Sequence, residues 1–157
     1  FEPVPGLHVT LFAVPGKVPL WLEDETLQIG AETETTVGAM IEAGGRRLAY
    51  IPGCARVTDG LKRRISGVDA LLFDGTVLLD DDMIRAGVGV KTGWRMGHVP
   101  MTGQGGSIAA LADVEIGRRV FVHINNTNPV LIEDSYERAS VEARGWTVAH
   151  DGLTLAL

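Results

Sequence analysis

Three apolar stretches of the sequence end on side chains that can bind a metal ion or move a proton. The thiol of Cys54, the carboxyl group of Asp74 and the imidazole of His123 each follow a run of strand-forming residues. In layered α/β proteins, binding and catalytic groups gather where neighbouring strands run out into loops. The sequence therefore predicts comparable positions for these three side chains, at the ends of three strands.

A second histidine, His98, lies between the strands that end at Asp74 and His123. The surrounding residues 75–106 contain eight glycines and are predicted to be mostly irregular. A connection this long is uncommon in a compact domain unless it is functional. Histidine is the side chain best suited to proton transfer near neutral pH or to metal binding. We therefore expect His98, Asp74 and His123 to belong to one reactive centre.

Each of these residues also has a purely structural interpretation. A cysteine after a strand is commonly a small buried apolar residue, and an aspartate before glycine can hold a turn through its own backbone hydrogen bonds. A histidine at a strand end or in a loop can be hydrogen-bonded structure or a solvated side chain. The residue types alone leave both interpretations open.

Three asparagines and a proline follow His123 in the segment FVHINNTNP. Asn125 and Asn126 are the candidate cofactor-binding residues of this turn. The alternative is that Asn125, Asn126 and Asn128 only tie the turn before Pro129, because asparagine side chains satisfy exposed backbone groups.

The elements that must position these groups begin as strands and continue as alternating helices and strands. Strand patterns cover residues 7–14, 36–41, 47–51, 68–73, 120–122, 146–149 and 153–157, and helix patterns cover 59–65, 107–113 and 135–143. This order is typical of α/β layers in which helices cover a sheet. No linker divides the sequence, so residues 1–157 are predicted to form a single unit.

Local signals mark several boundaries of these elements. Gly44-Gly45 and Asp151-Gly152 predict hairpin turns. Thr58 or Asp59 is the expected N-cap of the first helix, and Ser107 is the expected N-cap of the second.

Familiar catalytic motifs are absent from the sequence. It contains no G-x-S-x-G nucleophile elbow, no P-loop and no C-x-x-C pair. The acidic cluster at 80–82 lacks the twelve-residue pattern of a calcium loop, so we interpret it as a solvated acidic turn. The acidic stretch at 23–25 is likewise expected in solvent.

Composition narrows the class of protein. The formal net charge is -6, with 14 basic and 20 acidic residues, which argues against nucleic acid or an anionic membrane surface as a partner. The single cysteine excludes an internal disulfide and fits a reducing compartment. Because no apolar run approaches the roughly 18–20 residues of a membrane span, we expect a cytoplasmic protein without a membrane partner.

Four segments resemble the C-terminal half of the pyrroloquinoline quinone biosynthesis protein B family: LAYIPGC, LLFDGT, MIRAGVGVKTGWRMGHVPM and VFVHINNTNP. The resemblance runs over most of residues 37–157, and the motifs occur in the expected order. The family has the metallo-β-lactamase fold, a four-layer αββα sandwich. The resemblance implies a longer parent whose N-terminal half carries the metal motif H-x-H-x-D-H or a degenerate version of it. We therefore expect a truncated domain.

The resemblance also assigns roles to individual residues. His123 matches the last metal ligand of related hydrolases, at the end of a late strand. His98 matches a loop histidine that assists catalysis in the tRNA-processing branch, and Asp74 matches a carboxylate in that site. Cys54 stands where many members have an aspartate that bridges two metal ions. That departure counts against a standard two-metal hydrolase and implies a single metal or an altered ligand set.

The family resemblance implies a role in making pyrroloquinoline quinone from a glutamate and a tyrosine of a precursor peptide. The intact protein is expected to be an iron- or zinc-dependent oxygenase that hydroxylates the tyrosine. A carrier for the cofactor or its precursor and a metallo-β-lactamase-fold hydrolase are the alternatives. The 157-residue chain is expected to be inert, to hold no metal tightly and to form homo-oligomers, because half a sandwich exposes an apolar sheet face.

Overall fold

A computed structural model describes residues 1–17 and 29–157 of the chain. The acidic stretch at 23–25 lies outside these described residues. The described part contains one six-stranded sheet whose strands lie side by side in sequence order. The strands are β1 (Leu7–Gly16), β2 (Ala31–Ala43), β3 (Arg46–Ile51), β4 (Val68–Asp74), β5 (Ile116–Val122) and β6 (Trp146–Val148).

The strand pairing in the sheet changes from antiparallel to parallel at β3. β1, β2 and β3 are antiparallel neighbours, and β3, β4, β5 and β6 are parallel. The predicted hairpin at Gly44-Gly45 joins β2 to β3, and both glycines have the positive φ that this turn needs, 57° and 79°. Because β3, β4 and β5 are parallel, their carboxyl ends lie at the same edge of the sheet. Parallel neighbours also require crossover connections.

Short helices make most of the crossovers. The helices are α1 (Asp59–Ile65), α2 (Asp82–Arg85), α3 (Gly93–Met96), α4 (Ser107–Ala110) and α5 (Tyr136–Glu142), with a 3-10 turn at Pro129–Leu131. Thr58 caps α1 as predicted, because its hydroxyl accepts a hydrogen bond from the Leu61 amide at 3.2 Å. Ser135 caps α5 in the same way through the amide of Arg138, at 3.0 Å.

Several boundary predictions are wrong. β2 and β5 begin earlier than predicted, at Ala31 and Ile116, and α4 ends at Ala110 instead of 113. Three further differences have a visible cause. Strand β1 runs through Pro15 to Gly16, because Pro15 and Gly16 still pair with β2. Ser107 is the first residue of α4 and Gly106 is its N-cap, since the buried Ser107 amide donates to Pro100 at 2.8 Å. Residues 153–157 form no strand, because the Leu153 amide closes a turn onto His150 instead of pairing with β6.

The acidic cluster at 80–82 is also more than a solvated turn. Asp82 is buried and accepts the amides of Leu78 and Leu79 at 2.6 and 3.0 Å. Asp80 accepts the amide of Trp94 at 2.7 Å and so anchors α3. Only Asp81 fits the prediction closely, in an exposed pair with Arg85. The cluster therefore shapes the loop that carries His98.

Both faces of β4 and β5 carry buried residues, and one of these faces holds the aromatic layer of the core. Alternate residues of a strand point to the same face, and this face of β4 and β5 presents Leu71, Phe73 and Phe121, all fully buried. The Phe121 ring stacks on Trp146 with 4.0 Å between centroids, and Phe73 meets the same indole edge-on. These rings hold the carboxyl ends of β4 and β5 in register with β6.

The opposite face of β1–β3 is apolar and partly open. Leu11 pairs with Ala39, which pairs with Tyr50, and Val37 pairs with Ala13. Leu11, Val37 and Tyr50 remain 58%, 43% and 40% exposed. Apolar side chains grouped in this way on a surface are typical of interaction sites.

We expect this face to make the chain self-associate. Replacing both Leu11 and Tyr50 by lysine should shift the chain toward monomer in sedimentation velocity runs, because charged side chains would have to be desolvated at the contact. The matched control is Tyr136→Lys, which alters an 83% exposed aromatic residue on α5. A strictly monomeric wild-type chain at high concentration would contradict the prediction.

None of the helices in the described ranges combines the length and apolar composition that crossing a bilayer requires.

Candidate metal centre

The carboxyl edge of the parallel strands brings the predicted groups together. Ile51 pairs with Phe73, and Asp74 pairs with Val122, so β3, β4 and β5 end at the same height. Asp74, His98 and His123 meet there, with one ligand atom of each within 4.8 Å of the others. Their roles stay predictions. The sequence predicted strand ends for Asp74 and His123, and it placed His98 in the loop between those strands.

Asp74 is the fully buried centre of this cluster. Its Oδ2 accepts the Cys54 amide and lies 2.8 Å from Nδ1 of His98. Its Oδ1 accepts the amide and the hydroxyl of Thr76, at 3.1 and 2.7 Å. A carboxylate has about four acceptor positions, and four donors from three chain segments occupy them. Asp74 is therefore placed to orient its neighbours rather than to bind a metal ion directly.

The irregular loop delivers His98 through a short helical turn. Gly97 ends α3 with φ 91°, and the His98 amide donates to the Gly93 carbonyl at 2.9 Å. The His98 side chain is 20% exposed and directs Nδ1 to Asp74. An ionised Asp74 has no proton to donate. Nδ1 of His98 therefore carries the proton of this hydrogen bond, and Nε2 of His98 keeps its lone pair. This aspartate–histidine pair resembles the base and orienting group of catalytic triads.

His123 lies on a strained turn at the end of β5. It has φ 54°, and it is the one non-glycine residue with positive φ in the described part of the chain. The exposed ring lies 5.3 Å from the His98 ring, centroid to centroid, with 23° between their planes. Its Nδ1 is 2.8 Å from the Thr76 hydroxyl. Backbone strain of this kind persists only where surrounding contacts hold it, and it clusters at functional sites.

The donor set fits a metal ion. Within the described residues, neither histidine ring uses Nε2 in a hydrogen bond. Metal-bound histidines typically donate the other ring N–H to a carboxylate, carbonyl or similar acceptor, which is the arrangement of both rings here. Imidazole nitrogen suits zinc and iron alike. A single imidazole ligand, from His123, leaves coordination positions for ligands from elsewhere.

Cys54 contributes its backbone rather than its thiol. The side chain is fully buried and donates to the Arg56 carbonyl at 3.1 Å. Burial, reinforced by the negative charge of Asp74, raises the pKa of the Cys54 thiol far above its usual range. A neutral thiol is a poor metal ligand, because binding needs the thiolate. These contacts support the interpretation of Cys54 as a small buried residue that helps to hold Asp74.

The asparagines after His123 separate into different environments. Asn128 is buried, donates to the Gly75 and Thr76 carbonyls and accepts the Val130 amide, so it ties this turn to the turn after β4. The partly buried Asn125 side chain contacts the sulfur of Met83 at 2.8 Å, and Asn126 is exposed. Cofactor binding by Asn125 and Asn126 remains a prediction.

Sequence reasoning missed two residues of the site. Thr76 contacts Asp74 and both histidines, and Gly75 packs so closely that an added Cβ would lie 2.9 Å from Met101 and Phe121. The signal was present in the segment LLFDGT, because a hydroxyl two residues after an aspartate can bond to its carboxylate. The contacts of Thr76 with the histidines have no signal in the sequence.

A family model, described as a beta-lactamase superfamily domain, matches residues 1–124. Among curated relatives, the coenzyme PQQ synthesis protein B of Methylorubrum extorquens strain AM1 is 85% identical over all 157 residues. The protein of the same description from Rhizobium meliloti strain 1021 is 54% identical over the same length. The chain spans 52% of both relatives, about half of their length. The family resemblance seen in the sequence is confirmed.

Solved structures agree with this relationship. The 1.98-angstrom crystal structure of Zn(2+)-bound PqqB from Methylobacterium extorquens matches all of this chain and 52% of its own, with a TM-score of 0.97 and 85% identity. The metallo-beta-lactamase fold protein YhfI from Bacillus subtilis matches 98% of this chain with a TM-score of 0.61 at 12% identity, which is a likeness of fold alone. The predicted fold class, layered α/β of the metallo-β-lactamase type, is confirmed.

Proposed function

The chain belongs to the beta-lactamase superfamily, and we propose that it supplies part of the metal centre of a pyrroloquinoline quinone biosynthesis protein. In this proposal, His123 is a metal ligand and His98 handles a proton under the control of Asp74. The intact protein hydroxylates the tyrosine of a precursor peptide. The observation that carries the proposal is the convergence of Asp74, His98 and His123 at one edge of the sheet, in a chain 85% identical to coenzyme PQQ synthesis protein B.

The metal ion would be held by Nε2 of His123 together with ligands from the rest of the intact protein. Iron fits the proposed reaction better than zinc, since zinc has no redox chemistry. When bound, iron would supply the electron-transfer capacity that a reaction with oxygen needs. Hydroxylation places one oxygen atom of O2 on the aromatic ring, and the other leaves as water with two protons and two electrons from an added reductant.

His98 and Asp74 form the acid–base pair of this proposal. With Nδ1–H directed to Asp74, the free Nε2 of His98 accepts a proton from the phenol of the substrate. The buried carboxylate then stabilises the imidazolium that forms, as the aspartate does in a catalytic triad. A positioned acid or base of this kind typically contributes about 10²–10⁴-fold to the rate.

A cleft of about 530 Å³ supports a peptide as the partner. Its lining includes Ala55 and Val99, the sequence neighbours of Cys54 and His98, but not the three residues of the metal centre. Arg56 and Trp94 line the cleft together with two carboxylates, Asp80 and Asp81. A guanidinium group can pair with the carboxylate of a glutamate, and an exposed indole offers a surface for an aromatic ring. Both side chains of the proposed peptide thus have a complementary group in one cleft.

The hydrolase alternative is weaker because of Cys54. Two-metal sites need a group that bridges the ions, and here that position holds a buried thiol bonded to the Arg56 carbonyl. The carrier alternative uses the same cleft without turnover, so the decisive experiment has to measure both binding and product.

The test uses an intact, iron-loaded protein that contains this segment, a glutamate- and tyrosine-containing precursor peptide, O2 and a reductant. We expect the peptide to gain one oxygen atom on the tyrosine, as measured by mass spectrometry. His123→Ala should abolish hydroxylation and lower metal affinity by more than the roughly 10- to 100-fold typical of losing an outer-shell partner. The matched control is His150→Ala, since the His150 side chain is exposed and, among the described residues, its ring contacts the neighbouring Asp151 carbonyl and no group of the metal centre.

The 157-residue chain alone should be inert in this assay and hold iron or zinc weakly, because a partial ligand set cannot replace a complete site. Peptide binding without oxygen transfer by the intact protein would favour a carrier. A tightly held, stoichiometric ion in the isolated chain would contradict the proposal that the ligand set is completed from outside it.

A further inference from the structure

Thr76 has no role in the function proposed above, yet its hydroxyl is the most highly shared polar atom of the site. The side chain is buried two residues after Asp74. Its Oγ1 lies 2.7 Å from Asp74 Oδ1, 2.8 Å from His123 Nδ1, 3.0 Å from His98 Nδ1 and 3.1 Å from the His123 carbonyl. One hydroxyl therefore contacts all three members of the cluster.

The number of available protons determines at which contact the Thr76 hydroxyl donates and at which it accepts. A threonine hydroxyl has one proton to donate and two lone pairs that accept. The shortest contact is to Asp74 Oδ1, and a charged acceptor makes the stronger hydrogen bond. Two neighbours bring no proton to their contacts, Asp74 Oδ1 at 2.7 Å and the His123 carbonyl at 3.1 Å. The carboxylate is both the closer and the charged acceptor, so Thr76 donates to Asp74.

The direction of the first bond fixes the direction of the second. With its proton directed to Asp74, Oγ1 must accept at the 2.8 Å contact with His123 Nδ1. Nδ1 of His123 therefore carries a proton, and Nε2 keeps the lone pair. His98 reaches the same tautomer by direct contact with Asp74 Oδ2 at 2.8 Å.

We infer that Thr76 is a positioning residue that relays the charge of Asp74 to His123. The bonds run from His123 Nδ1–H to the Thr76 hydroxyl, and from that hydroxyl to Asp74 Oδ1. One buried carboxylate thus sets the tautomers of two imidazoles, one directly and one through Thr76. The assignment of the two tautomers rests on these hydrogen bonds alone. Only the roles of the two Nε2 atoms, in metal binding and proton transfer, rest on the proposed function.

Two substitutions separate the hydroxyl from the rest of the side chain. Thr76→Val keeps the shape and removes the hydroxyl, whereas Thr76→Ser keeps the hydroxyl. Histidine ring tautomers are read by long-range 1H–15N correlation spectra of the metal-free 157-residue chain, at a pH where the rings are neutral. Signals are assigned with His98→Gln and His123→Gln variants.

We expect both rings of the wild-type chain to show the Nδ1–H form. In Thr76→Val, His123 should change to a mixture of tautomers while His98, still bonded to Asp74, does not change; Thr76→Ser should restore His123. The unchanged His98 signal reports that the site remains folded. An Nε2–H tautomer of His123 in the wild type, or an unchanged Nδ1–H form in Thr76→Val, would overturn the inference.

A second measurement separates this inference from the proposed function. In the intact protein, Thr76→Val should weaken Zn2+ binding roughly 10- to 100-fold, the usual effect of losing a partner of a metal-bound histidine, and Thr76→Ser should restore it. A changed tautomer with unchanged Zn2+ affinity would support the relay and count against His123 as a metal ligand. An unchanged tautomer with weakened binding would overturn the relay.

Discussion

We expect Asp74→Ala to lower the free energy of unfolding by about 3 kcal/mol, because it leaves several buried donors without their acceptor. The loss is large because four donors lose their acceptor together: the amides of Cys54 and Thr76, the Thr76 hydroxyl and Nδ1 of His98. An unsatisfied buried donor costs about 1–3 kcal/mol. Part of this loss of stability is offset, because the alanine variant no longer has to bury a carboxylate. Urea denaturation followed by circular dichroism measures the change.

Two further variants make this result specific to the site. Asp74→Asn keeps one acceptor oxygen, so it should lose less stability than the alanine variant and remain folded for measurement. Asp82→Ala is the matched control, because it removes a buried carboxylate that accepts two backbone amides but touches neither histidine. It should destabilise the chain without altering the His98 and His123 ring signals. Stability of Asp74→Ala within about 1 kcal/mol of the wild type would refute the account of Asp74 as the centre of the cluster.

The parts of the fold that follow from local chemistry were predictable. A Gly-Gly turn between apolar strands, a threonine before a helical segment and an apolar run of the β4 type each depend on a few neighbouring residues. Those predictions are confirmed in the hairpin at Gly44-Gly45, the cap at Thr58 and the strand Val68–Asp74. The convergence of Asp74 and His123 followed from the same reasoning, because parallel strands end at one edge.

The failures depend on which hydrogen-bonding groups find a partner in the folded chain. The C-terminal residues 153–157 have a good strand pattern, but a strand needs a partner, and the pattern does not say whether β6 is free to pair. Asp82 looks like a solvated charge, yet it is buried because two amides of its own turn need an acceptor. The shared hydroxyl of Thr76 depends on three segments that only the fold brings together.

A second large effect is expected from the aromatic layer beneath His123. Phe121→Ala should lower the free energy of unfolding by about 3–5 kcal/mol, because a large fully buried ring leaves a cavity that the sheet cannot fill. The ring stacks on Trp146 at 4.0 Å, so its loss separates β5 from β6 as well. A typical domain has only about 5–15 kcal/mol of stability, and the variant should unfold at much lower urea concentrations.

The same substitution should loosen the site above the cavity. The Phe121 side chain packs against Gly75, and the Val122 carbonyl accepts the Gly75 amide at 2.8 Å, so β5 holds the turn that carries Thr76. The His123 ring signals of Phe121→Ala should therefore broaden or shift under folding conditions. Phe12→Ala is the matched control, since Phe12 is a buried phenylalanine near the other end of the sheet, beneath Arg64. It should lose stability with the His123 signals in place; equal disturbance of His123 by both variants would show that the site responds to global stability and not to the aromatic layer.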